Sequence, residues 1–295
     1  MATEKRENPA GDQKSRKRKG KLLLIGGNED KIDEMEVLRT LAKEAGGAEA
    51  RIEVITTASS EPEKTWQTYK EAFKKIEAGH VKPLHIASRA QAEEREFIDR
   101  IAQSTALLLS GGDQLRITSI LEATPVAEAI RRHYFEEGKL VAGTSAGAAA
   151  LTSTIIYDGE SPEALRKGAV KMTGGLALIS NAVVDTHFVS RGRFGRLFQV
   201  VAGNPRLIGV GLGEDTGVLV TGGTKLKVVG SGLVIIVDGG NIRFTNVFEV
   251  EHMEPFSVEN IAIHVLSSGA GYDLDSRSFL PPPPKRPKPE DSQSR

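Results

Sequence analysis

Five short apolar runs alternate with helix-length amphipathic segments through the first half of the chain. This alternation restricts the fold more than any other feature of the sequence. Lys21–Gly26 (KLLLIG), Arg51–Thr56 (RIEVIT), Val81–Ala87, Thr105–Leu109 (TALLL) and Leu140–Ala142 each read as a buried strand. Between the first two, Ile32, Met35, Leu38, Leu41 and Ala42 recur at helical spacing. Further helices are predicted over Glu63–Ala78 and over residues 90–102, 114–121 and 124–137. Strand–helix–strand order needs crossover helices, so an α/β fold is expected: a mostly parallel sheet with helices on both faces. Ligands bind beyond the carboxyl ends of the strands in such sheets.

The second half is richer in strands. Leu207–Gly211, Thr216–Val220, Lys225–Val229 and Leu233–Asp238 are separated by the turns TGGT, GSG and DGGN. They are expected to extend the same sheet, partly as hairpins. The ends differ in character. Residues 1–20 are basic and aperiodic and read as a disordered, solubilising tail. Residues 281–295 begin PPPPKRPKP and read as a Pro-rich disordered tail. One α/β domain over residues 21–280 lies between them.

Composition narrows the function. The formal net charge is zero, so no whole-molecule field draws the chain to nucleic acid or to a membrane. Cysteine is absent, which excludes disulfides, thiolate metal sites and a cysteine nucleophile. No apolar run reaches the roughly 18–20 residues of a membrane helix. The charged N-terminus is followed by no apolar stretch, unlike a secretory signal. The expectation is a cytoplasmic protein with no metal or cofactor and no nucleic-acid or membrane partner.

The chemistry centres on residues 139–150, KLVAGTSAGAAA. A strand runs into Gly143-Thr144-Ser145-Ala146-Gly147 and an alanine-rich helix follows. This is G-x-S-x-G in the strand–turn–helix context of a nucleophile elbow. The serine backbone is strained there, and glycine two residues either side removes Cβ atoms that would clash. The helix start leaves N–H groups free for an oxyanion. A glycine-rich turn that merely closes a strand–helix unit is the plainer alternative.

Of the six histidines, His187 stands apart. It lies in Asp185-Thr186-His187-Phe188, just past an apolar strand, where a strand end meets the site; the other five are expected to be structural. A base of this kind needs a carboxylate behind it. Glu214 follows the apolar run Ile208–Leu212, Asp215 beside it faces the other way, and Glu163 and Asp158 are rivals from the loop after the elbow helix. Three arginines within six residues, Arg191, Arg193 and Arg196, can grip carboxylates through paired hydrogen bonds. Asp113 and Asp185 can meet guanidinium groups. At least one arginine is expected to pair internally.

With Gly111-Gly112-Asp113-Gln114, Ser145, Asp185-Thr186-His187-Phe188 and Arg191-Gly192-Arg193 in this order, the chain resembles the cyanophycinases. These are serine peptidases of the family that also holds dipeptidase E. The resemblance runs from about Lys21 to Asp275. It implies a fold related to class I glutamine amidotransferases, a homodimer, and cleavage of multi-L-arginyl-poly-L-aspartate (cyanophycin) to β-Asp-Arg dipeptides. It implies Ser145 as nucleophile, His187 as base and Glu214, in GLGEDTG, as the third member, with Glu163 the alternative. It places Gln114, Asp185, Arg191, Arg193 and Arg196 in the substrate pocket, with Thr186 beside it. Thr186 and Ser190 both stand where the family pattern has Gln.

The expected mechanism is acyl transfer. Ser145 attacks an aspartyl backbone carbonyl, His187 moves the proton, and the N–H of Ala146 with one from Gly112 or Asp113 receives the oxyanion. An Asp-X or isoaspartyl dipeptidase on the same scaffold is the first alternative. A non-enzymatic binding module is the second, although the chain lacks a G-x-x-x-x-G-K-[ST] phosphate loop.

Overall fold

The five predicted strands pair in parallel. In the computed structural model, which describes residues 19–159 and 163–284, they are β1 (Lys21–Ile25), β2 (Arg51–Ile55), β3 (His80–Leu84), β4 (Ala106–Leu109) and β5 (Leu140–Thr144). Their order is β1-β5-β4-β2-β3. Helices α1 (Glu36–Glu44), α2 (Pro62–Lys75), α3 (Arg95–Gln103), α4 (Gln114–Leu121) and α5 (Pro125–Phe135) connect them, and α6 (Ala146–Ala150) follows β5. Two helix starts are legible in the sequence. Asp113 accepts from Leu115 N at 2.8 Å to cap α4, and Thr124 caps α5 ahead of Pro125.

Alternate strand residues feed different cores, as a period of two requires. Leu22, Leu24, Leu107, Leu109 and Val141 pack with Ile101, Ile117, Val126, Tyr134 and Ala148 from α3 to α6. Leu23, Ile25, Ile52, Val54 and Leu108 pack with Val37, Leu38, Leu41, Trp66 and Phe73 from α1 and α2. Helices therefore cover both faces, in line with the α/β expectation. Pro83 sits in β3 at the sheet edge, where a missing N–H costs no ladder bond.

The second half departs from expectation. Thr154–Asp158 (β6) and Lys171–Gly174 (β7) form a small hairpin after α6, and Ala182–Asp185 (β8) follows. Beyond β8 come α7 (Phe194–Gly203), β9 (Ile208–Leu212), β10 (Thr216–Thr221), β11 (Lys225–Gly230) and β12 (Val234–Asp238). The last elements among the described residues are β13 (Phe244–Thr245), β14 (Val258–Glu259), β15 (Ala262–Leu266), β16 (Gly271–Asp273) and β17 (Ser278–Leu280). The β10–β11 hairpin extends the main sheet antiparallel to β1, and β16 and β17 complete it at nine strands. The runs at 207–211 and 233–238 do not join it. They form β9 and β12 of a separate four-stranded sheet, β15-β12-β9-β8. One face of that sheet (Val184, Val210, Leu212, Ile236) shares the core under α3 to α6. The other (Val183, Ile235, Val237) is covered by Leu197, Val200 and Val201 of α7. Both faces are buried, so these strands read like interior strands of any sheet.

The predicted tails lie almost wholly outside the described residues. Among the described residues no helix is long and apolar enough to cross a membrane.

One buried histidine makes stability pH-dependent. His133 is 0% exposed on the inner side of α5, with Nε2 3.2 Å from the Leu140 carbonyl and no partner on Nδ1 among the described residues. Burial pushes its pKa down to about 4. The folded-state value lies below the unfolded one, so the unfolded chain binds the proton first. Stability is full above about pH 6.5 and falls by roughly 2–3 kcal/mol as pH drops through that value towards 4. Denaturant titrations of wild type and His133→Gln over this window check it. The wild-type curve should fall more steeply, and parallel curves would show that His133 does not titrate on unfolding.

Candidate active site

The side chains singled out in the sequence arrive from the carboxyl ends of strands in both sheets. Ser145 directly follows β5 with φ 51° and ψ −117°, a conformation that L residues rarely adopt. The flanking glycines make it possible. A Cβ at Gly143 would lie 2.4 Å from the Gly147 carbonyl oxygen, and one at Gly147 would lie 2.2 Å from that of Leu109. Ser145 N donates to Ile25 O at 2.9 Å, fixing the turn to the neighbouring strand.

His187 lies beyond the end of β8, and its backbone N donates to Gly26 O at 2.9 Å. This bond ties the second sheet to the end of β1. Gly27, at φ 98°, leaves room for the imidazole: a Cβ there would lie 2.4 Å from Nε2. The ring lies between two partners. Nε2 is 3.0 Å from Ser145 Oγ, and Nδ1 is 2.7 Å from Glu214 Oε1. Glu214 follows the end of β9. Its hydrogen bond with His187, followed by one with Asn28, holds its carboxyl below the usual range. Ser190 Oγ donates to Glu214 Oε1 at 3.2 Å and to His187 O at 3.1 Å. The serine that departs from the family pattern thus braces the carboxylate.

The rival acids lie elsewhere. Asp215 turns away and accepts Asp30 N at 2.8 Å. Glu163 is exposed, and Asp158 pairs with Lys171 at 2.9 Å. Of the candidate oxyanion donors, Asp113 N is committed to Ala58 O at 3.0 Å, which takes Asp113 out of that role. The Gly112 N–H has no acceptor among the described residues, and Ala146 begins α6, where its N–H has no partner within the helix.

On one side of Ser145 lies a polar cavity of about 120 Å³, lined by Gln114, Asp185, Thr186, Arg191, Arg193 and Arg196 with Tyr157. Asp185 is its buried centre. Arg193 Nη1 is 3.1 Å from Oδ1 and Arg196 Nε is 3.0 Å from Oδ2. Arg193 also donates to Thr186 O at 2.8 Å. Burial raises the Asp185 pKa and the two arginines oppose that rise, while burial lowers those of Arg193 and Arg196. Two arginines thus pair internally. Arg193 and Arg196 against the one Asp185 carboxylate still leave this cluster cationic. Gln114 Nε2 reaches the carbonyls of Ile156 and Tyr157, both at 3.4 Å. Among the described residues, no group of three or more His, Cys, Asp or Glu is arranged to hold a metal ion.

Sequence reasoning missed a second polar group beside Ser145. The Glu29 carboxylate, buried under α2, accepts from the Tyr69 hydroxyl and, at 2.7 Å, from Thr144 Oγ1. Lys31 Nζ is 3.0 Å from Glu29 Oε1. The only available sign was the charged run Glu29-Asp30-Lys31 directly after the glycines that close β1.

The model of peptidase family S51 matches residues 22–228. A cyanophycinase from Synechococcus elongatus is 37% identical over 269 residues, covering 90% of this chain and 84% of the relative. One from Trichormus variabilis is 39% identical over 260 residues, 88% of this chain and 87% of the relative. A crystal structure of a peptidase from an acI-B1 Actinobacterium superposes with a TM-score of 0.66 at 21% identity, over 88% of this chain and 98% of that one. A putative peptidase E from Listeria monocytogenes superposes with a TM-score of 0.51 at 18% identity, over 72% and 100%. At these identities the two structures speak to the fold alone.

Proposed function

The chain belongs to peptidase family S51, and from that membership we propose that it hydrolyses cyanophycin through an acyl-enzyme on Ser145. The observation that carries the proposal is the relay from Ser145 Oγ through His187 to Glu214, at 3.0 and 2.7 Å, beside a cationic pocket. In this mechanism His187 Nε2 takes the Ser145 proton as Oγ attacks the carbonyl of an aspartyl backbone bond. Glu214 fixes the tautomer that leaves Nε2 free and stabilises the imidazolium as it forms. The N–H groups of Gly112 and Ala146 receive the oxyanion. His187 then protonates the leaving amine, and water, deprotonated by the same imidazole, releases the acyl group.

The arginine pocket suits one β-Asp-Arg unit, whose free carboxylate needs a cation. Asp185 holds Arg193 and Arg196 in place, so their charge is oriented before substrate arrives. The homodimer implied by the resemblance and a cytoplasmic location belong to the same proposal.

An insoluble cyanophycin suspension tests the substrate. The proposal expects clearing of the suspension and release of β-Asp-Arg as the principal soluble product. An intact suspension beside rapid hydrolysis of short Asp-X or β-Asp-X peptides would move the assignment to a dipeptidase on this scaffold.

A further inference from the structure

The arginine pocket occupies one side of Ser145. A second cavity, of about 290 Å³, opens on the other. The two share Ser145 and His187 among their lining residues. Gly27 lines the second cavity, and a Cβ there would lie 2.4 Å from His187 Nε2. The nitrogen that must hand a proton to the leaving amine therefore borders this second space.

The cationic group in its wall is Lys31. Nζ donates to Glu29 O at 3.0 Å, lies 3.0 Å from Glu29 Oε1 and sits 5.1 Å above the centre of the Tyr69 ring. Its side chain is 21% exposed, against 1% for that of Glu29. An ammonium has three donors. The Glu29 carbonyl takes one and the Glu29 carboxylate lies in ion-pair range, which leaves donor capacity for a ligand in the cavity. The loop carrying Lys31 is tightly organised. Asp30 Oδ1 accepts from Ile32 N and Asp33 N at 2.8 and 3.0 Å, and Oδ2 from Met35 N at 2.8 Å. These bonds hold the Asp30 carboxyl at a pKa of about 2, and Asp30 N is tied to Asp215 beside Glu214. Glu29 in turn takes the hydroxyls of Tyr69 and of Thr144, the residue before the nucleophile.

We infer that this cavity is the leaving-group subsite, and that Lys31 binds a carboxylate on the substrate unit beyond the scissile bond, with Glu29 as its positioning residue. The inference rests on the serine-peptidase reading above. A substrate carrying a carboxylate on every unit would then meet a cation on each side of the nucleophile: the arginines on the acyl side and Lys31 on the leaving side.

Two short peptides with the same acyl unit test it, one leaving as an amino acid with a free carboxylate and the other as its carboxamide. Wild type should prefer the acid in kcat/KM by about ten- to a hundredfold, the range of a hydrogen bond to a charged group. Lys31→Met should bring the ratio close to one, and Lys31→Arg should restore most of it. A purely structural lysine would scale both substrates alike and leave the ratio intact, which would overturn the subsite. So would a wild-type enzyme that does not distinguish acid from amide, a result that needs no variant to fold. The ratio also separates this inference from the cyanophycin assignment. Clear acid preference on short peptides with no attack on cyanophycin would keep the subsite and discard that polymer as substrate.

Discussion

Ser145→Ala should lower kcat by about 10³-fold or more on every peptide substrate while the protein stays folded. The change removes one hydroxyl from a side chain that bonds to His187 and takes no other atom from the core. The strained backbone at residue 145 is held by Gly143, Gly147 and the bond to Ile25 O, and none of these changes. Without Oγ no acyl-enzyme forms. What remains is oriented water attacking beside the oxyanion donors, a much smaller contribution. Rates on cyanophycin and on a short peptide, read beside a thermal melt, check the expectation. A folded variant that keeps more than about a tenth of wild-type kcat would remove Ser145 from the reaction.

The second large effect separates two carboxylates. Glu214→Gln should cost about 10²–10⁴-fold in kcat, whereas Glu163→Gln should stay within a few-fold of wild type. Glu214 Oε1 lies 2.7 Å from His187 Nδ1 and also accepts from Ser190. A neutral amide there cannot offset the imidazolium charge. If its NH₂ turns towards the ring, Nδ1 becomes the acceptor and the proton moves to Nε2, which can then no longer take the serine proton. Glu163 is exposed, and its backbone carbonyl accepts from Arg166 N at 2.8 Å. Equal losses in the two variants, or a larger loss at Glu163, would contradict the assignment of Glu214.

The parallel half of the fold is legible because each strand is a short apolar run bounded by turn residues and each crossover has helical spacing. The elbow is legible because its residues are local: Gly143, Ser145 and Gly147 stand within five positions, even though the Cβ clash avoided at 147 is with Leu109 O on the neighbouring strand. The partner of a strand is not local. Ile208–Leu212 and Thr216–Thr221 are both apolar and separated by a short turn, yet one lies in the second sheet and the other beside β1. Residues 208–212 carry no mark of their partner, because burial between α7 and the main core makes them apolar on both faces. The β6–β7 hairpin escapes notice because 12 residues separate its strands and no tight turn signals the pairing.

The site follows the same rule. Ser145 and His187 stand at strand ends that the pattern identifies, and Glu214 is recognisable as a candidate for the same reason. The choice between Glu214 and Glu163 depends on which loop reaches the imidazole, and that is decided by the docking of the second sheet onto the end of β1 through His187 N and Gly26 O. The Glu29 group draws on residues 29, 31, 69 and 144, from one loop, a helix and a strand end. No spacing rule joins positions so far apart.

Covalent labelling tests most directly whether Ser145 is an activated nucleophile. Wild-type protein is treated with a fluorophosphonate, and the adduct is located by peptide mass mapping. One adduct per chain is expected, on Ser145, formed more slowly when β-Asp-Arg occupies the site. A folded protein that takes up no label, or takes it on a residue other than Ser145, would contradict that role.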